Sequence, residues 1–261
     1  MGMRTKPSRG RARARGAPTT EEEFLSSYKA AYFPRPSVTV DVVLVSAMAG
    51  ALYTLTVTRA EHPFKGFRSL PGGFVHLDES LEEAAARVLW QKAKLRDVFL
   101  EQLFTFGHPR RDPRTRVISV AYYALVDRAR FDEAAQASSE VEVARILVPW
   151  EGETGGPVEL ADKSGAPLRL AFDHAEILGM AVKRLRGKLD YAPIGFQLLP
   201  ERFTLFDLQR VHETILGRPL NKDSFRRRML TSGLLESTGE SEKEVDHRPA
   251  ELYRFSKRSA I

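Results

Sequence analysis

An α/β chain in two parts is predicted, with a larger domain over residues 22–192 and a smaller module over residues 193–261. Three observations predict it. Residues 37–48, Ser-Val-Thr-Val-Asp-Val-Val-Leu-Val-Ser-Ala-Met, are a β-branched run of strand character. Residues 80–95 and 173–189 carry apolar side chains at helical spacing. From about residue 194 the chain changes to two short helices and a hairpin.

The first strand, 37–48, turns at Gly50 into a second, Leu52 to Thr58. Leu70-Pro-Gly-Gly73 leads into a short strand and loop. Ser80 to Leu95 is a helix capped by Asp78 or Ser80, with Glu82 and Glu83 at the positive end of its dipole. Its apolar stripe is Leu81, Ala84, Ala85, Val88, Leu89 and Leu95. Strands follow at 97–106, 116–127 and 141–149, the first two separated by the loop Gly107–Arg114. Gly-rich residues 151–167 make a loop or hairpin before the helix Asp173–Leu189.

In the second part, Ile194–Leu199 reads as a short apolar strand, and Thr204 caps a helix from Leu205 to Leu216 that Gly217 and Pro219 stop. Asn221 or Asp223 caps a second helix containing Phe225, Arg226, Arg227, Arg228, Met229 and Leu230. A polar loop, Ser237 to Arg248, separates Leu234-Leu-Glu236 from the strand Glu251–Phe255. Helix, short turn, basic helix and hairpin is the order of a winged helix-turn-helix.

Hydrophobic residues make up 43% of the 261 residues and charged residues 28%, enough apolar material for a buried core. No apolar run is long enough to span a bilayer, so an integral membrane protein is not expected. The absence of cysteine excludes disulfides, thiolate catalysis and zinc–cysteine sites, and is compatible with the cytoplasm. The net charge of +6 is carried by Arg4, Lys6, Arg9, Arg11, Arg13 and Arg15; the remaining residues balance at 34 basic against 34 acidic. This arm, residues 1–21, has the composition of a disordered segment and lacks a signal-peptide core. It either tracks nucleic acid or is a solvated start.

The stretch Gly73-Phe-Val-His-Leu-Asp-Glu79-Ser-Leu-Glu-Glu-Ala-Ala-Ala-Arg87-Val-Leu-Trp-Gln91-Lys92-Ala-Lys94-Leu95 resembles the Nudix box, G-x₅-E-x₇-R-E-U-x-E-E-x-G-U. Gly73, Glu79, Arg87, Leu89 and Leu95 fall on the pattern. Val88, Gln91 and Lys92 replace its three later glutamates, and Lys94 its glycine. In Nudix hydrolases those glutamates hold divalent cations against a diphosphate. Here three negative charges become one positive. At an effective dielectric of about 20, a unit pair about 4 Å apart interacts by about 4 kcal/mol, and a divalent ion doubles that. Lys92 therefore repels an ion by more than Glu79 alone offsets, and neither metal binding nor catalysis is expected. Lys92 or Lys94 can meet a diphosphate directly, as lysine does in other phosphate sites, or point to solvent.

Leu103–Tyr122 looks like the segment that follows the box in ADP-ribose-type Nudix proteins. Phe203–Arg228 and His247–Phe255 extend the resemblance, and residues 22–258 together resemble the NrtR-type transcriptional regulators of NAD metabolism. The resemblance implies an N-terminal Nudix α/β/α sandwich with a mixed sheet, followed by a C-terminal winged helix-turn-helix. It further implies a cytoplasmic, nucleoid-associated homodimer on a palindromic double-stranded operator, repressing NAD-metabolism genes. ADP-ribose, or a related NAD-derived nucleotide, would release it, with no cofactor required.

For DNA contact it points to Lys222, Arg226, Arg227 and Arg228, with Arg218 and Arg248 toward the backbone and wing. For the effector it points to Arg68, Gly72, Gly73, Glu79, Arg87, Lys92, Arg111, Asp112 and Arg114. Arg87 either touches ligand or only braces the loop through Glu79, and Tyr122 and Phe106 are expected in the core. Two other readings compete: a working ADP-ribose hydrolase with an atypical metal site, and a nucleotide-binding interaction protein without a DNA target.

Overall fold

The computed structural model describes residues 20–189, 193–243 and 248–256, so the basic arm up to residue 19 lies outside the described residues. The described residues fall into two units that divide between Arg35 and Pro36. In the first, helix α1 (Glu21–Ser27) is capped by Thr20, whose hydroxyl accepts the Glu23 N–H, and a 3-10 turn follows at Ala30–Tyr32. The Tyr28 ring stacks on Phe33 and meets the Phe24 ring at a tilt.

The second unit begins with β1 (Ser37–Met48), β2 (Ala51–Thr58), β3 (Arg68–Ser69), β4 (Gly72–Phe74) and α2 (Leu81–Ala93). β5 (Leu100–Phe106), β6 (Val117–Leu125), α3 (Arg128–Ala137), β7 (Val141–Leu147), β8 (Glu159–Ala161), β9 (Pro167–Leu168) and α4 (His174–Lys188) complete the first domain. The sheet runs β5-β6-β1-β2-β7-β8-β9, with β3 on β2 and β4 on β1. β1 and β6 are parallel and the other ladders antiparallel, so the sheet is mixed.

β1 is covered on both sides. Val40, Val42 and Leu44 pack with Ala84, Ala85, Val88 and Leu89 of α2 and Phe131 of α3. Val43 and Val45 pack with Ile177, Leu178, Ala181, Val182 and Leu185 of α4. A strand buried on both faces reads as a continuous apolar run rather than an alternation, as residues 37–48 do. The result is the expected α/β/α sandwich.

The core against α4 does not stop at the first domain. It continues through Leu205, Leu208, Val211 and Ile215 of α5 (Leu205–Leu216), Phe225 and Met229 of α6 (Lys222–Thr231), and Tyr253. A second sheet, β10 (Phe203–Thr204), β12 (Glu251–Phe255) and β11 (Leu235–Ser241), closes the winged helix.

Several elements depart from expectation. Ile194–Leu198 is a 3-10 helix, not a strand. Its buried residues Ile194, Gly195 and Leu198 are spaced as on a helix, and they fill the junction below α5. Ser237–Ser241 extends β11 where a polar loop was expected. There Ser237 and Thr238 hydroxyls donate to the Glu251 carboxylate and the Leu252 carbonyl. α3 had no counterpart in the sequence reading; Asp127 caps it through the Arg130 N–H, and only Phe131 and Ala134 are buried.

Lys94, at the box's glycine position, ends α2 in the left-handed region with φ 55°. That conformation costs a non-glycine residue roughly 1–2 kcal/mol, and glycine's larger unfolded-state entropy returns about 0.5–1 kcal/mol of any gain. Lys94→Gly is therefore expected to stabilise the chain by about 0.5–1 kcal/mol, read as a rise in the urea midpoint at unchanged slope. No rise would mean that the Lys94 contacts with the Gln91 carbonyl and the Trp90 ring balance the strain.

Candidate functional site

The glycine loop is held from below by β1. Gly72 pairs with Asp41, and a Cβ there would collide with the Asp41 carboxylate and lie 3.0 Å from the Val40 carbonyl oxygen. Only glycine fits at that approach. From Gly73 the chain reaches Glu79, whose carboxylate accepts the His76 N–H at 2.8 Å, Arg87 Nε at 2.8 Å and the terminal guanidinium nitrogen at 2.5 Å. Arg87 also donates to the Phe74 carbonyl at 3.0 Å and to Gln91 at 3.4 Å. The Glu79–Arg87 pair thus closes the loop onto α2.

The Arg87 hydrogen bonds hold the Glu79 carboxyl far below the usual range, at about 2. A depressed carboxyl contributes stability that is present above its ordinary value near 4.5 and lost as pH falls through about 2. A carbon NMR titration is expected to find Glu79 ionised down to about pH 3, and Arg87→Ala to return it toward its ordinary range. An ordinary midpoint in the unaltered chain would deny the brace.

The carboxylates nearby are committed elsewhere. Glu83 closes the Ser80 capping box, and Glu82 accepts from the Tyr122 hydroxyl at 3.2 Å. Among the described residues, no group of three or more His, Asp or Glu side chains is placed to hold a metal ion. With Gln91 and Lys92 in place of carboxylates, the donor set does not suit a hard divalent cation. Lys92 turns to the other side of α2, where it meets Glu140 at 2.5 Å.

Beside the glycine loop, at the N-terminus of α4, lies a buried polar cluster. Arg111 forms a two-pronged pair with Asp173, at 2.8 and 2.6 Å, and approaches Asp41 at 3.6 Å. Asp41 accepts from the Ser119 hydroxyl and lies 3.7 Å from His174 Nε2. His174 Nδ1 accepts the Leu70 N–H at 2.9 Å, which ties the start of the glycine loop to α4. Burial lowers the proton affinity of His174, consistent with a neutral ring accepting at Nδ1. Asp112 accepts the Arg114 backbone N–H at 2.9 Å and its guanidinium at 3.0 and 2.7 Å. Arg114 and Arg59 flank the Phe172 ring at 5.8 and 4.7 Å from its centroid.

Of the residues expected at the effector site, Glu79 pairs with Arg87 beside Gly73, Gly72 and Arg111 both meet Asp41, and Asp112 pairs with Arg114. Arg68 is turned to β7, where it pairs with Glu142. The sequence reading missed Asp41, Arg59, Ser119, Phe172, Asp173 and His174. Asp41, the one charge in an apolar strand, was the signal available for the cluster. Tyr122 is buried and Phe106 packs at the edge of the core.

In the winged helix, Thr204 and Asp207 form a reciprocal cap on α5, and Gly217 ends it in the left-handed region. The Leu220 N–H donates to Glu213 and Gln209 donates to both Glu213 and the Leu220 carbonyl, locking the turn before α6. Asn221 caps α6 through the Ser224 N–H. Phe225 and Met229 face inward, so at about 100° per residue Arg227 points directly away from the core. Arg226 lies toward the wing, where its charge is felt by Glu251 and Tyr253. Arg228 sits over the Phe225 ring at 5.7 Å. Lys222, Arg226 and Arg248 line one groove between α6 and the wing. Arg218 lies elsewhere, in a groove with Arg145, Glu151 and Thr214. No helix among the described residues is long and apolar enough to cross a membrane.

Two family matches divide the chain: the NUDIX domain at residues 35–163 and the NrtR DNA-binding winged helix domain at residues 195–255. An ADPR responsive transcriptional repressor, NtrR of Acinetobacter baylyi, is 36% identical over 240 residues, covering 91% of this chain and 89% of that protein. An ADP-ribose pyrophosphatase of Methanocaldococcus jannaschii is 32% identical over 124 residues, covering 48% of this chain and 62% of that protein. The crystal structure of Shewanella oneidensis NrtR complexed with a 27mer DNA is 35% identical, with a TM-score of 0.68, over 84% of this chain and 93% of that one. Joined through one core, a Nudix sandwich and a winged helix with these relatives along nearly the whole length place the chain in the NrtR family of Nudix-related transcriptional regulators.

Proposed function

We propose that this chain is a transcriptional repressor of NAD-metabolism genes that binds operator DNA through its winged helix and is released by ADP-ribose or a related NAD-derived nucleotide. The observation that carries this reading is the match across both domains to a relative named as an ADP-ribose-responsive transcriptional repressor. We assign residues 22–192 to effector binding and 193–261 to DNA binding, the basic arm preceding them. Lys222, Arg226, Arg227 and Arg228 meet the duplex from α6 and Arg248 from the wing, while Arg218 contacts the backbone from the turn. Gly72, Gly73, Glu79, Arg87, Arg111, Asp112 and Arg114 form the effector face. Arg68 and Lys92 join it only by leaving Glu142 and Glu140. The acting species is a homodimer on a palindrome, in the cytoplasm at the nucleoid, without catalytic turnover or a required cofactor. ADP-ribose releases it by binding the DNA-incompetent state more tightly, since equal affinity for both states shifts nothing.

The test is duplex binding by the purified full-length chain with and without ADP-ribose. The expected result is salt-sensitive binding that ADP-ribose weakens. Binding indifferent to ADP-ribose would remove the effector assignment, and no duplex binding would remove the DNA assignment. A second reading, hydrolysis of ADP-ribose, is favoured by the pyrophosphatase relative over the Nudix portion. Incubation with ADP-ribose and Mg²⁺ or Mn²⁺ is expected to release no AMP; turnover at low protein concentration would establish the enzyme instead.

A further inference from the structure

Arg186 is a buried guanidinium, 5% exposed, and no carboxylate among the described residues lies within ion-pairing distance of it. Its partners are backbone carbonyls and a ring. Nε donates to the Ile215 carbonyl at 2.9 Å, and a terminal nitrogen donates to those of Trp150 at 3.2 Å and Gly152 at 2.7 Å. The Trp150 ring lies 4.7 Å from the guanidinium carbon. Burying a charge without a counter-ion is costly, so a residue held this way is expected to serve a purpose that an apolar side chain cannot. Ile215 lies in the last turn of α5, where carbonyls lack helical partners and a cation complements the dipole. Arg186 thus caps the first helix of the winged module from the last turn of α4.

The opposite end of α4 belongs to the polar cluster beside the glycine loop. The side chain of Asp173, its cap residue, makes no cap hydrogen bond and instead holds Arg111. His174, the first helical residue, holds the Leu70 N–H. Arg186 lies twelve positions after His174, about 18 Å along a continuous helix. One rigid element thus joins the candidate effector loop to α5, on which α6 packs through a shared core.

We propose that α4 carries the effector signal and that Arg186 is the positioning residue coupling nucleotide binding to DNA release. This rests on the effector reading above. A diphosphate at the glycine loop competes with Asp173 for Arg111. Freeing Asp173 moves the head of α4, and Arg186 passes that movement to the end of α5. Neither ligand touches Arg186, so its loss is expected to uncouple two binding events while leaving each intact.

The experiment compares the unaltered chain with Arg186→Gln and Arg186→Lys, using ADP-ribose and a duplex selected by the full-length chain from a random-sequence pool. In the unaltered chain ADP-ribose is expected to weaken duplex binding by about 5–150-fold, the usual range for a coupling between sites. In Arg186→Gln each ligand alone is expected to bind within about threefold of normal, while the coupling falls to less than about twofold. Arg186→Lys, which keeps the charge but not the fork, is expected to recover part of it. Full coupling in Arg186→Gln would overturn the proposal and leave the effector reading standing. Duplex affinity indifferent to ADP-ribose in the unaltered chain would remove both. Should the glutamine variant fail to fold, hydrogen exchange on the unaltered chain decides. ADP-ribose is expected to change exchange over residues 149–153 and 211–217, and unchanged exchange there would overturn the proposal.

Discussion

Replacing Arg111 by alanine is expected to cost about 3–5 kcal/mol of folding stability, because it strips a buried charge from two carboxylates at once. The Arg111 side chain is 5% exposed, bonded through two prongs to Asp173, and 3.6 Å from Asp41. Asp41 is almost as enclosed, and its remaining help is the Ser119 hydroxyl and the nearby His174. Asp173 is one-fifth exposed and can recover some hydration, which favours the lower end of the range. The exposed pair of Arg128 and Asp132 provides the control: Arg128→Ala is expected to cost less than about 1 kcal/mol. Urea denaturation of both variants at pH 7 measures the difference. A loss at Arg111 no larger than at Arg128 would show that the cluster does not hold the head of α4. ADP-ribose binding by the same variant should fall as well, since Arg111 is a cation of the proposed effector face.

Arg227→Ala is expected to lower operator affinity by about 5–150-fold, the equivalent of about 1–3 kcal/mol for one good contact to a base edge. Among the three consecutive arginines it points directly away from the buried Phe225 and Met229, while Arg226 leans to the wing and Arg228 over the Phe225 ring. The salt dependence separates two forms of contact. If Arg227 reads a base, its loss relaxes sequence preference and leaves the salt slope nearly unchanged. If it meets a phosphate, binding weakens on all sequences and the slope of log affinity against log salt falls by about 0.9. Undiminished affinity in alanine variants of all three arginines would remove α6 as the recognition helix. Fluorescence anisotropy across a salt series provides both readings.

The two motifs that identified the family were local, and therefore legible. Gly73, Glu79 and Arg87 declare the loop and helix through spacing alone, and the structure joins Glu79 to Arg87 across that spacing. Capping residues behaved likewise: Ser80, Thr204 and Asn221 each cap the helix predicted to follow. Such signals need only neighbours three or four residues away. Where elements lacked a local signature they were misread. Ile194–Leu198 is apolar enough for a strand, but it packs against α5 and β6 at the domain junction as a turn of 3-10 helix. Ser237–Ser241 is polar enough for a loop, but pairing with β12 makes it an edge strand.

The sequence by itself determined that a glycine loop and helix of the Nudix type precede a basic winged helix, and that the box's carboxylates had given way to Gln91 and Lys92. Only the tertiary structure decided where those side chains face. It turned Lys92 to Glu140, set Arg227 opposite the core, and brought Asp41, Arg111 and the adjacent Asp173 and His174 together from three distant points of the chain. The reason is physical. Helix periodicity and capping are set by bonded neighbours, whereas a buried charge cluster exists only once separate segments fold together and remove its members from water.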